Sequence, residues 1–215
     1  MRKMALFDLD DTLVRSDTVL AISSKMLRDD LIDKLYTFKD VKTEDLSDLP
    51  PLLAERVAKS FLDPEYAVWI KRPVEGAQYL LKCLELNNIL IGIVTARPFE
   101  LYEITKDYLA ARFPGIKFEQ IVFVTKDIGP SCVGLSKRTY FDVLHNNYDI
   151  ITYADDNSVF CEEMVDSAIE KSKQVSVFLV GNRHKTVYNQ IRRVKSVCSI
   201  DPIFFHIGGV LYANR

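Results

Sequence analysis

Short apolar runs alternate with longer amphipathic ones along most of this chain. Ala5 to Phe7, Ile89 to Val94, Ile121 to Val124, Ile150 to Tyr153 and Val175 to Val180 have the composition of strands. They are nearly continuous in apolar character, which predicts strands buried on both faces, as in a parallel sheet. Between them, Pro73 to Asn88, Phe99 to Arg112, Lys137 to Asn146 and Ser158 to Ser172 place apolar residues at three- and four-residue spacing. That is the period of an amphipathic helix, and Pro73 is placed to open the first of these. Strand and helix in alternation predict a three-layer α/β domain with helices on both faces of a parallel sheet.

Arg15 to Lys71 breaks the pattern. It contains no strand-like run, and two helical patches flank a polar, proline-punctuated middle, KTEDLSDLPPLLAE. About 55 residues is too long for a structureless loop inside a compact domain. The expected organisation is therefore a core of residues 1–14 and 72–215, with 15–71 a small helical insert after the first strand. Such an insert is expected over the carboxyl end of the sheet, where open α/β folds bind ligands.

Composition narrows the function classes. With 48% apolar and 27% charged residues among 215, the chain has a globular profile. A formal net charge of -2 gives no global attraction to nucleic acid or anionic membrane. The cysteines, Cys83, Cys132, Cys161 and Cys198, form no C-x-x-C pair, so buried free thiols in a reducing compartment are expected. No run reaches the roughly 18 apolar residues of a membrane span, and no secretion signal is visible, so a cytoplasmic location is the expectation.

The chemistry is concentrated at strand ends. The first strand runs into MALFDLDDTLV, where Asp8, Asp10 and Asp11 fall within four positions. Carboxylates so close are tolerable when a cation offsets them, and hard oxygen ligands suit Mg²⁺. Continued extended chain would point Asp8 and Asp10 to the same side. The fourth strand supplies two more acids, Asp155 and Asp156, in IITYADDNS. The second ends in ILIGIVTARP, with Thr95 at its tip and Pro98 placed to open the next helix, whose amino end would favour an anion. Lys137, near a helix start in GLSKRTYFDVL, can neutralise phosphate oxygens and an approaching carboxylate.

These segments, D-L-D-D-T, V-T-A-R-P, Lys137 and A-D-D-N, resemble the four ordered motifs of the haloacid dehalogenase superfamily. The resemblance spans about Met4 to Val180 and implies a Rossmann-like core with a small helical cap after the first strand. It further implies that Asp8 is a nucleophile carrying a covalent aspartyl-phosphate and Asp10 the general acid and base. Thr95 and Lys137 would hold the phosphoryl oxygens. Asp8, the backbone carbonyl of Asp10 and Asp155 would ligate Mg²⁺, with Asp156 a supporting or alternative ligand, and Thr12 would steady the loop. Members with an Asp two residues after the nucleophile are phosphatases and phosphomutases, which favours phosphoryl transfer to water or a second hydroxyl.

The resemblance leaves the substrate open among phosphometabolites, phosphoproteins such as phosphotyrosine, and nucleic-acid ends. A silent binding module and a phosphomutase are the competing readings. Thr95 could also serve as a helix cap, Lys126 is a rival for Lys137, and Arg97 could touch substrate or only its neighbours. His145, His184 and His206 lack metal-like spacing and are expected to be structural or surface residues. The basic segment Gly181 to Lys195 reads as a solvated helix face or a stripe for polyanions. The apolar Ile203 to Leu211 reads as an added strand or docked segment.

Overall fold

Every apolar run expected to be a strand lies in one parallel sheet. The computed structural model describes residues 1–16, 71–125, 136–181 and 186–200. Its elements are β1 (Lys3–Phe7), β2 (Val14–Ser16), β3 (Lys71–Pro73), α1 (Ala77–Leu86), β4 (Leu90–Pro98), α2 (Tyr102–Arg112), β5 (Phe118–Thr125), α3 (Arg138–Asn147), β6 (Asp149–Asp155), α4 (Ser158–Glu170), β7 (Ser176–Val180) and β8 (Arg192–Val194). The main sheet has the order β5-β4-β1-β6-β7-β8, and each pairing in it is parallel.

Strand alternation divides the core into two layers. Ala5 and Phe7 of β1 pack with Leu80, Leu81 and Leu84 of α1 and Tyr108 and Leu109 of α2. Met4 and Leu6 face the other way, onto Phe141 and Leu144 of α3 and Phe160 and Met164 of α4. The sheet is thus covered on both faces, the three-layer Rossmann-like α/β arrangement expected from the pattern. Strands β1 and β4 approach closely at Gly92, where an added Cβ would lie 2.5 Å from Leu6 Cδ2.

Three local expectations need correction. Pro73 does not open α1; it ends β3, and α1 starts at Ala77 after Gly76 at φ 82. Pro98 likewise ends β4, and a 3₁₀ turn, Phe99–Leu101, separates it from α2. Strand β8, with the sequence RRV, was not expected, because two of its three side chains are exposed arginines and its place is set by pairing with β7.

The chain divides into two compact units, Met1–Val14 with Pro73–Arg215, and Arg15–Arg72. Strands β2 and β3 form a separate two-stranded ladder. The helical patches expected between residues 17 and 70, and the apolar segment 203–211, lie outside the described residues. So do Arg183, Lys185, Lys126 and Cys132. In the basic segment, Arg192, Arg193 and Lys195 are exposed, the first two on an edge strand rather than a helix. Among the described residues no helix is long and apolar enough to cross a membrane.

Candidate active site

Parallel register brings the first two acids together. Strands β1 and β6 are neighbours, with Phe7 opposite Ala154, and the Asp8 N–H donates to the Ala154 carbonyl at 2.8 Å. Asp8 and Asp155 therefore leave adjacent strands side by side, 6% and 1% exposed. Lys137, at the residue before α3 and fully buried, lies between them. Its Nζ donates to Asp8 Oδ1 and to Asp155 Oδ2, each at 2.7 Å, and lies 3.3 Å from the Tyr153 hydroxyl. It also sits 4.6 Å from the centre of the Phe160 ring. The Lys137 backbone N–H donates to Glu163 Oε2 at 2.7 Å, which ties the start of α3 to α4.

Asp155 is held on both oxygens. Oδ2 also accepts from the Tyr153 hydroxyl, and Oδ1 accepts from the Asn157 N–H at 2.8 Å. The Asn157 side chain in turn caps α4 through the Val159 N–H. One ligand oxygen each from Asp8, Asp155 and Asp156 lies within 4.8 Å of the others. The structure thus brings Asp8, Asp155 and Asp156 together.

Electrostatics show an imbalance. Burial lowers the Lys137 pKa, but Asp155 and Asp8 overcome this and hold the ammonium above its ordinary value. The Asp8 carboxyl is nevertheless pushed well up, first by burial, with Asp155 and Asp10 adding to it and Lys137 opposing. Asp156 is raised to about 7 by burial, then by Asp155 and Asp11. One buried cation thus faces more buried negative charge than it can offset. Oxygen-only donors with excess negative charge fit a small divalent cation such as Mg²⁺.

Asp10 is placed differently from expectation. Past Phe7 the chain is not extended: Leu13 and Val14 both donate to the Leu9 carbonyl, and Asp11 takes φ 57. From this tight turn the Asp10 carboxylate reaches Arg97. Two parallel bonds join them, Nε to Oδ2 at 2.7 Å and Nη2 to Oδ1 at 2.9 Å. The acidic group contains no side-chain oxygen of Asp10, so the expected contribution of Asp10 to a metal rests on its backbone carbonyl.

Thr95 is 1% exposed, and its hydroxyl accepts from the Arg97 N–H at 3.2 Å. It caps a local turn within β4 and not the start of α2. Among the described residues the buried Thr12 hydroxyl has no hydrogen-bond partner. Three contributors were not anticipated from sequence: Tyr153, Glu163 and Thr105, the last accepting from Arg97 Nη1 at 2.9 Å. Only Tyr153 carried a signal, since it precedes Asp155 by two positions on one strand and so shares its face.

The parallel sheet thus carries acids at two adjacent strand ends with a buried lysine between them. The chain has the fold of the haloacid dehalogenase superfamily. A HAD family hydrolase from Deinococcus radiodurans with bound phosphate and sodium superposes with a TM-score of 0.57 at 13% identity, over 91% of each chain. A predicted phosphoglycolate phosphatase from Haemophilus somnus 129pt gives 0.57 at 14% identity, over 92% of this chain and 95% of that one. A protein provisionally assigned as a β-phosphoglucomutase from Thermotoga maritima gives 0.58 at 15% identity, over 96% and 97%. No family model matches the chain, and no curated protein matches it.

Proposed function

We propose that the protein is a Mg²⁺-dependent phosphatase that hydrolyses phosphomonoesters through an aspartyl-phosphate on Asp8. The observation that carries this reading is the buried Asp8–Lys137–Asp155 bridge with Asp156 beside it. Asp8 attacks phosphorus while the bond to the leaving oxygen breaks, and Asp10 gives that oxygen its proton. Asp10 then takes a proton from the water that attacks the phosphorus of the Asp8 acyl phosphate, releasing inorganic phosphate and restoring both carboxyl groups. Lys137 and the Thr95 hydroxyl hold the phosphoryl oxygens. Mg²⁺, held by Asp8, the Asp10 backbone carbonyl and Asp155 with Asp156 in support, would supply positive charge against the phosphate and the nucleophile.

Residues 15–71 are read as the family's cap insert. Small phosphorylated molecules are the favoured substrates, because the similar structures named above include proteins assigned to phosphoglycolate and phosphoglucose chemistry. The test is hydrolysis of p-nitrophenyl phosphate by wild type, Asp8→Asn and Asp10→Asn, with Mg²⁺ and with chelator. Turnover by wild type that requires Mg²⁺ and vanishes in Asp8→Asn supports the reading. Turnover that survives Asp8→Asn refutes it.

A further inference from the structure

Arg97 is built into this domain more tightly than a surface ion pair would need. Its guanidinium is bonded in three directions: Nε and Nη2 to the two oxygens of Asp10, and Nη1 to Thr105 Oγ1 on α2. Its backbone N–H is held by Thr95 Oγ1, and Cζ lies 5.9 Å from the Tyr108 ring centre. Arg97 is 7% exposed and Thr105 fully buried, whereas the Asp10 side chain keeps 30% of its surface open. Burial opposes the charge of Arg97, but Asp10 more than offsets it and raises the guanidinium above its ordinary value.

The geometry is a fork-on-fork pair with the arginine end immobilised and the carboxylate end half-open. A carboxylate in a turn has two side-chain torsions to fix, and a planar two-bond contact fixes both. We infer that Arg97 is a positioning residue: it fixes the plane and direction of the Asp10 carboxylate for proton transfer at the leaving oxygen. The inference rests on the phosphatase reading above. Its consequence is a dependence on the leaving group. Proton transfer contributes about 10²–10⁴-fold where the leaving oxygen is strongly basic, and little where the oxygen leaves readily unprotonated.

The experiment compares kcat/KM for phenyl phosphate and p-nitrophenyl phosphate, with Mg²⁺, in wild type, Arg97→Met, Asp10→Asn and the double variant. For Arg97→Met the expected loss is about 100-fold on phenyl phosphate and under about fivefold on p-nitrophenyl phosphate. In the Asp10→Asn background, Arg97→Met should add no further leaving-group bias. Formation of a beryllofluoride adduct with Mg²⁺, read by ¹⁹F NMR, reports whether the Asp8 site is intact in each variant. If Arg97→Met does not fold, Thr105→Val, which removes only the Nη1 acceptor, must show the same bias in weaker form. An equal loss on both substrates, or none, overturns the inference while leaving the phosphatase reading standing. A wild type inactive on both removes the two together.

Discussion

Replacing Lys137 by Met tests the charge balance of the site directly. The substitution nearly keeps the volume of the chain but deletes an ammonium bonded at 2.7 Å to each of two buried carboxylates. At an effective dielectric constant near 20, each contact is worth about 6 kcal/mol in Coulomb energy, set against several kcal/mol of desolvation per ion. What remains after deletion is two uncompensated buried acids, and losses of about 3–5 kcal/mol follow when a buried pair is broken this way. That is a large share of the ~5–15 kcal/mol of a typical domain. Urea unfolding in chelator is the assay. Two further results are expected: Lys137→Met/Asp8→Asn should recover part of the loss, and Mg²⁺ at about 100 times its Kd should restore about 2.7 kcal/mol. A loss under about 1 kcal/mol in chelator, or a double variant no more stable than Lys137→Met, would contradict this charge balance.

Asp8→Asn should abolish turnover yet raise stability in chelator, since an acid whose folded pKa lies above its unfolded value loses stability as it ionises; a lower urea midpoint would contradict this. Tyr153→Phe removes one donor from Asp155 Oδ2 while Lys137 remains, so about 1 kcal/mol should be lost in the same unfolding assay, and no change would show the hydroxyl to be idle. His145 is buried with neither ring nitrogen hydrogen-bonded among the described residues, and its pKa is lowered to about 4 by burial and by Lys173 and Lys171, against Asp142 and Asp149. Its unfolded form therefore binds a proton first, so stability present above about pH 6.5 is lost as the pH falls toward about 4. His145→Leu should flatten that part of the pH–stability curve, and a curve parallel to wild type would exclude His145 as its source.

The sheet was legible because its strands are apolar on both faces. Ile91 and Ile93 serve one layer and Val94 the other, so the run reads as continuous. Strand β8 was not legible, since Arg192 and Arg193 stay exposed and only the pairing with β7 makes RRV a strand. Pro73 and Pro98 misled in the same way: a fixed φ suits the last residue of a strand as well as the first of a helix. At the site, the acids at strand ends named Asp8 and Asp155, and Lys137 was named by its place at a helix start. The Asp10–Arg97 fork was hidden because its partners are 87 residues apart and meet through a turn that departs from strand periodicity.

The grouping of acids follows from strand register before any chemistry is invoked. Once Phe7 pairs with Ala154, the next residue on each strand is an aspartate, and neighbouring strands lie only about 4.8 Å apart. Folding the sheet therefore forces Asp8 against Asp155, at a cost that no rearrangement of either strand can avoid without breaking the register of the core. Lys137 lowers that cost and cannot cancel it, because it brings one charge to a group that already holds two and has Asp156 beside it. On the proposed phosphatase reading, a bound cation would offset this remaining negative charge and would in turn attract a phosphate dianion. If the site works as proposed, the stability of the domain and its binding of metal and phosphate depend on the same three side chains, so a substitution that relieves the charge should weaken the binding.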